Sequence, residues 1–237
     1  KEKPQQGTHE SLFCARPGLD VWKASAWAES KDYYNPKEVM EAARLMLSVA
    51  DRYKGNNNFE YDLVDVLRQA ITEKGRLVLK VVSAAYKAED QGLFAQASQR
   101  FLNLILLQDE LLGTRKEFRV GNWTGMARNI GQTKEEKDLY EWNARVQITT
   151  WGNHSASERG KLHDYAHKEW NGILKDFYYM RWKTYFDGLT RSLKGEMVPV
   201  IDWYALEEPW TEVSDTYSSQ PEGNCIEVAK RIYQEIF

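Results

Sequence analysis

No uncharged apolar run in the sequence approaches the ~20 residues that a helix needs to cross a bilayer, so neither a membrane span nor membrane insertion is expected. A surplus of basic charge is missing as well. Lys and Arg number 32 against 35 Asp and Glu, interleaved along a chain of net charge −3, which leaves no basic face for nucleic acid or anionic lipid. There are only two cysteines, Cys14 and Cys225. They could be two buried thiols or one bridge, and sequence separation does not decide which, so the redox compartment stays open. Gly-x-Ser-x-Gly elbows, glycine-rich phosphate loops and cysteines in a catalytic setting are all absent, which removes the familiar signatures of nucleophilic and phosphoryl-transfer enzymes. The strict alternation of a sheet and any repeat of 30 to 50 residues are absent too. The chain starts without Met and without a basic-then-apolar leader, and so reads as an excised or processed piece of something longer.

What is present is helix periodicity and aromatic side chains: nine Trp and thirteen Tyr in 237 residues, enough length for one substantial core. Residues 1–34 carry Pro4, Gly7, Pro17 and Gly18 with no sustained period and read as an irregular N-terminal arm. Residues 35–237 read as one helical domain. Asn35-Pro36 opens a helix as cap and first turn, with Val39, Ala43, Leu47 and Ala50 on one face and Gly55 beyond its end. A longer helix starts near Glu60, with Leu63, Leu67, Ala70, Ile71, Val78, Val81 and Val82 as its stripe and Gly75 as a bend. A third runs from Gln91 to a stop at Gly113 and is apolar on most sides, as a central helix should be. Thr133 and Glu136 have capping-box spacing and open a fourth. A further helix is expected from about Lys161 to Leu193, broken near Gly172 or Gly188, and a last one from about Asn224 to Ile236. The stretch VPVIDWYALEEPW stays ambiguous. The fold class is all-α, a bundle of six to eight helices.

Four features bear on chemistry. His163 and His167 are four residues apart, the spacing at which two imidazoles on one helix face share a metal, with Asp164 between them and His154, His9 or a carboxylate as third ligand. Asp is shorter than the Glu of such motifs, and surface or hydrogen-bonded histidines explain the pair without a metal. Carboxylates abound (Glu60, Asp62, Asp65, Glu141, Asp164, Glu169, Glu207, Glu208), but acid/base catalysis needs two of them across a scissile bond, and helix-start charge accounts for several. Asn122-Trp-Thr124 and Asn153-His-Ser155 match a glycosylation pattern that arises easily by chance. Arg68, Arg145 and Arg181 read as buried or half-buried partners that orient helices. Finally, in YEWNARVQITTWGNHS (140–155) the β-branched pair Thr149-Thr150 weakens a helix just before Trp151, and Gly152 permits the left-handed turn that ends it. The indole then lies at a helix terminus beside a polar loop, either presented to a partner or folded back on its own bundle.

Five ordered blocks carry a family resemblance: FEYDLVDVLRQA (59–70), LLGTRKEFRVGNW (111–123), YEWNARVQITTWG (140–152), LHDYAHKEWNGILKDFYYMRW (162–182) and SQPEGNCIEVAKRIY (219–233). RPGLDVWKASAW (16–27) adds a sixth. Together they resemble the C-terminal helical domain of the α-N-acetylglucosaminidases, glycoside hydrolases that include the lysosomal heparan-sulfate enzyme. The likeness implies a parent of three parts, in which a (β/α)8 barrel supplies two catalytic Glu and the helical domain packs on it and closes the pocket for terminal α-linked N-acetylglucosamine. Neither Glu belongs to this chain, so the resemblance implies no catalytic residue, no cofactor and no metal here. It implies three substrate-binding residues, Trp151, Leu162 and Tyr165, with the loop NHSASERGK between them longer than the family's. An extracytoplasmic location follows, secreted, periplasmic or lysosomal.

The leading expectation is therefore a domain that walls a sugar pocket and is inactive alone, its partners the barrel and the glycan. A freestanding helical binding or scaffold module, using its aromatics for protein contact, is the alternative from another class; a helical toroid that hydrolyses sugars with its own carboxylates is a third. A domain severed from a barrel should also expose an apolar docking patch and could self-associate through it.

Overall fold

The computed structural model describes residues 11–20 and 34–237. Pro4, Gly7 and His9, and the rest of the arm at 1–10 and 21–33, lie outside the described residues, as does most of the block at 16–27.

Among the described residues the chain is all-α. Eight α-helices are joined by short 3₁₀ and π turns: α1 (Pro36–Val49), α2 (Asn57–Lys87), α3 (Gln91–Gly113), α4 (Val120–Arg128), α5 (Lys134–Gln147), α6 (Tyr179–Leu193), α7 (Trp203–Glu212) and α8 (Cys225–Ile236). Extended pairing is limited to one isolated parallel bridge between Arg119 and Asn171. Most helix starts follow from their caps. Asn35, Asn56, Asp90, Asp202 and Asn224 each accept a backbone N–H of the first turn through the side chain, and Thr133 with Glu136 forms the full capping box. The ambiguous stretch is helical only from Trp203 on, as α7, because Asp202 caps it there, and Pro209 is accommodated within the helix.

α2 and α3 pack against each other along their length, and α1, α6 and α8 pack around them. Their shared interior holds Leu63, Leu67, Ile71, Phe101, Ile105 and Trp182 with almost no exposure. Each such side chain contributes about 1.5–3 kcal/mol of transfer free energy. The aromatic rings there pack edge-on or tilted, Phe101 lying 5.4 Å from Phe13 and 4.5 Å from Trp182.

Two features add to those expectations. α2 runs unbroken through Gly75, and the glycine serves the Phe13 ring, since an added Cβ would stand 2.6 Å from its Cε1. Leu12, Phe13, Cys14 and Ala15 are fully buried, so this part of the irregular segment fills the core. The Trp182 indole N–H donates to the Phe13 carbonyl at 3.1 Å, fastening it there.

The expected helix from Lys161 is also absent in its first third. Residues 161–171 form turns and irregular chain, and the helix that leads into α6 begins only past Gly172, through a π turn (Leu174–Tyr178). The break falls at Gly172, with φ of +92°, not at Gly188. Asp109 of α3 explains it: its carboxylate accepts the N–H of Gly172 at 2.6 Å and of Lys175 at 3.2 Å, acting as the cap of a helix remote in sequence. Burial pushes this carboxyl up to about 6 in spite of those hydrogen bonds, and nearby Asp176 adds to the rise.

Candidate functional site

α5 ends at Gln147, and the next three residues turn inward: Ile148, Thr149 and Thr150 are buried, with the Thr149 hydroxyl returned to the Arg145 carbonyl at 2.7 Å. Trp151 then reverses the chain. Its own φ is +62°, and its N–H donates to the Val146 carbonyl at 2.7 Å. The left-handed residue is thus the tryptophan, not Gly152 as the sequence suggested. Gly152 matters by its size, because a Cβ there would come within 3.1 Å of the Ala156 methyl. A bulky side chain in this conformation costs on the order of 1–3 kcal/mol and persists only where its surroundings over-determine it.

The surroundings do so. From Trp151 the chain passes through a π turn (Ser155–Arg159) and returns through Lys161 and Asp164, both also left-handed at φ of +54° and +59°. The Asp164 N–H donates to the Thr149 carbonyl at 2.8 Å, tying the two limbs of the loop together. Tyr165 follows directly. The Trp151 and Tyr165 rings meet at 5.1 Å and 59°, and both face outward, 36% and 54% exposed. Leu162, half-buried, joins them through the backbone, its carbonyl accepting the Tyr165 N–H at 3.1 Å. Of the three residues expected to bind substrate, the fold therefore makes a ring pair of two and puts the third at the base of the same turn. The polar tips and flat faces of such a pair suit a sugar ring, which offers an apolar face edged by hydroxyls.

Behind this exposed surface lies a series of alternating charges, buried at its centre and partly exposed at its Glu158 end. Asp164, fully buried, accepts two hydrogen bonds from Arg181 of α6, at 2.9 and 3.0 Å. Arg181 also donates to the Cys14 carbonyl at 3.0 Å and lies over the Phe177 ring at 4.4 Å. Its Nε is 2.9 Å from Glu207 of α7, an ion pair that is not aligned as a hydrogen bond. Burial alone would lower the Arg181 pKa, but the facing Asp164 and Glu207 carboxylates raise it, so the guanidinium stays charged. Glu207 is shared with Arg16, at 2.9 and 3.0 Å, and Arg16 forks onto Glu158 at 2.6 and 2.8 Å. That fork holds the Glu158 carboxyl down to about 2. Arg16 and Glu158 escape sequence reading entirely, since 142 residues separate them and no local pattern marks either.

The other chemical readings resolve differently. His163 and His167 do not share a helix face, because they sit in the 161–171 turns. His163 Nδ1 is 2.9 Å from the Ser157 carbonyl and His167 Nδ1 is 3.0 Å from the Asp164 carbonyl. Among the described residues no three His, Cys, Asp or Glu side chains are grouped to hold a metal. The fully buried carboxylates are committed to arginines: Glu141 to Arg145 and Arg128, Asp164 to Arg181, and Glu207 to Arg16 and Arg181. Arg145, fully buried, lies 4.7 Å from the Trp210 ring and 5.0 Å from Tyr217, while Arg68 pairs with Asp65 and lies over Phe118 at 5.5 Å. Both cysteines are free and buried, and burial raises both pKa values, Cys225 to about 11. A separate apolar groove of about 670 Å³ lies between α4 and α5, lined by Trp123, Met126, Ile130 and Tyr140. Met126 and Ile130 are largely exposed. None of the helices is long and apolar enough to cross a membrane, among the described residues.

Residues 1–235 match the family described as alpha-N-acetylglucosaminidase (NAGLU) C-terminal domain. The human alpha-N-acetylglucosaminidase is 29% identical over 239 residues, covering 98% of this chain and 30% of the human protein. A family 89 glycoside hydrolase from Clostridium perfringens, solved in complex with PUGNAc, superposes with a TM-score of 0.93 at 34% identity, over 100% of this chain and 28% of that one. A variant of it solved with its substrate GlcNAc-α-1,4-galactose gives 0.91 at 36% identity, over 97% of this chain and 27% of that one. The chain thus spans under a third of these relatives' length, and it belongs to the α-N-acetylglucosaminidase C-terminal domain family of the glycoside hydrolases.

Proposed function

We propose that this chain is the helical part of an exo-α-N-acetylglucosaminidase and that it forms one wall of the pocket for terminal α-linked N-acetylglucosamine. A (β/α)8 barrel of the same protein supplies the two catalytic carboxylates for retaining hydrolysis. The chain's part is to bind and orient: Trp151 and Tyr165 lie against the sugar ring and acetamido methyl, with Leu162 beside them. One observation carries the reading. Two large aromatic side chains stand exposed and in contact on a strained loop, an arrangement that core packing does not need. The Clostridium relative's crystallisation with a GlcNAc-α-linked disaccharide supports the choice of sugar. The commitment of the fully buried Glu141, Asp164 and Glu207 to arginines, and of the buried Asp109 to backbone N–H groups, supports the view that proton chemistry lies outside this chain. The enzyme works in an extracytoplasmic compartment, secreted, periplasmic or lysosomal.

The test uses an aryl α-N-acetylglucosaminide. The isolated chain should give no turnover. In the full-length protein, Trp151→Ala should lower kcat/KM by about 1–3 kcal/mol of transition-state energy while the melting temperature barely moves. Turnover by the isolated chain that disappears when one of its own carboxylates is replaced would overturn the reading, as would a Trp151→Ala melting loss as large as that of a core truncation. The α4–α5 groove favours a second reading, a helical module that docks a protein through Met126 and Ile130. Unchanged kinetics for Trp151→Ala, with loss of association for Ile130→Asp, would select it.

A further inference from the structure

The buried charge series begins and ends in the same loop. Glu158 lies on the π turn after Trp151, and Asp164 immediately precedes Tyr165. Between them the series crosses three other parts of the fold: Arg16 on the N-terminal segment, Glu207 on α7 and Arg181 on α6. The loop is therefore gripped at two points, six residues apart in sequence, by a frame whose members lie between 17 and 191 residues from their partners. Within the loop Asp164 has a double attachment. Its N–H holds the Thr149 carbonyl two residues before Trp151, and its carboxylate holds Arg181. Trp151, Lys161 and Asp164 are three of the five left-handed non-glycine residues among those described, and all three lie in this stretch.

Buried ion pairs are poor sources of stability, because desolvation offsets most of their attraction, but they can select one conformation over its neighbours. A strained loop that carries a binding surface needs such selection. We propose that Arg181 and Arg16, acting through Asp164 and Glu158, are positioning residues that hold the Trp151–Tyr165 ring pair in its sugar-binding geometry. The inference rests on the proposed pocket wall and assigns the series no contact with substrate. Displacement of a binding group by about 1 Å can cost on the order of 100-fold in rate, which sets the scale of the effect.

Glu158→Gln and Asp164→Asn in the full-length protein test it, with the aryl α-N-acetylglucosaminide as substrate. Both are near-isosteric, and Glu158 is partly exposed, so it serves if Asp164→Asn fails to fold. Each is made in two backgrounds, the natural sequence and the double variant Trp151→Ala/Tyr165→Ala. The expected result is a fall in kcat/KM of about 10- to 100-fold in the natural background, mostly through KM, and less than about twofold once the rings are gone, since coupled positions are non-additive. Equal losses in both backgrounds would show a general structural role and overturn the proposal, and so would no loss in the natural background. If removing the two rings has no kinetic effect by itself, the pocket-wall reading fails first, and that outcome is separately visible in the double variant.

Discussion

The α2–α3 hairpin and the 148–171 crossover differ in nearly every physical respect. The hairpin is two long, well-capped helices whose interior is aliphatic and aromatic, with Leu63, Leu67, Ile71, Phe101 and Ile105 essentially unexposed. The crossover holds a single short π turn, three left-handed non-glycine residues, a fully buried carboxylate and two exposed aromatic rings. In the first region local propensity, pattern and packing agree. In the second, local preference is overruled at each turn, and the structure persists because distant residues impose it. Where levels agree a protein is stable, and where they conflict a functional reason is to be sought.

The comparison is broken most directly in the hairpin. Phe101→Ala removes a ring that touches Phe13, Trp182 and Phe186 and should cost about 3–5 kcal/mol in a denaturant titration. A cost near 1 kcal/mol would mean that the interior is loosely packed.

The seam between the two regions comes next. Asp109 sits on α3 but caps the helix that leaves the crossover, and its carboxyl is raised from 3.8 to about 6 by burial. A pKa above the unfolded value means that the folded state holds the proton more tightly. The group's contribution to stability is therefore complete below pH 3.8 and is lost as pH rises through about 6. Asp109→Asn keeps an acceptor for Gly172 and removes the titration. The difference in unfolding free energy between the two proteins should change by up to about 3 kcal/mol between pH 4 and 7. A difference curve flat over that range would show that the capping hydrogen bonds fully offset desolvation.

The smallest expected change is in the crossover. Trp151→Gly relieves a left-handed backbone while discarding a half-exposed ring, and the two effects oppose each other. The unfolding free energy from a denaturant titration should change by no more than about 1 kcal/mol in either direction. A loss on the scale of Phe101→Ala would make the indole a core residue and erase the contrast between the regions.

How much of this was legible beforehand depended on range. The caps at Asn35, Thr133 and Asn224 act within three or four residues of themselves, so the sequence displays both donor and acceptor. The stripes of α2 and α3 are legible because one face of a helix repeats along the chain. Trp151 and Tyr165 are marked by the blocks at 140–152 and 162–182 through resemblance, and their ring contact by nothing local. The helix expected from Lys161 was misread because Leu162, Tyr165 and Ala166 mimic helical spacing, while the Thr149 carbonyl and the Arg181 guanidinium, which hold Asp164 in a left-handed turn, lie elsewhere. The histidine pair was misread with it, since its four-residue spacing has meaning only on a helix.

The sequence by itself determined the all-α class, the starts of α1, α2, α3, α5 and α8, the ends of α3, α6 and α8, the central place of α3, and membership of the family through its ordered blocks. These are properties of short-range hydrogen bonding and hydrophobic periodicity, both written in neighbouring residues. Only the tertiary structure decided that the segment around Phe13 is core, that a carboxylate on α3 ends one segment and starts the next helix, and that Glu158, Arg16, Glu207, Arg181 and Asp164 form one series. Charge pairing acts through space with no period along the chain, so its partners are chosen by the fold and become visible only there.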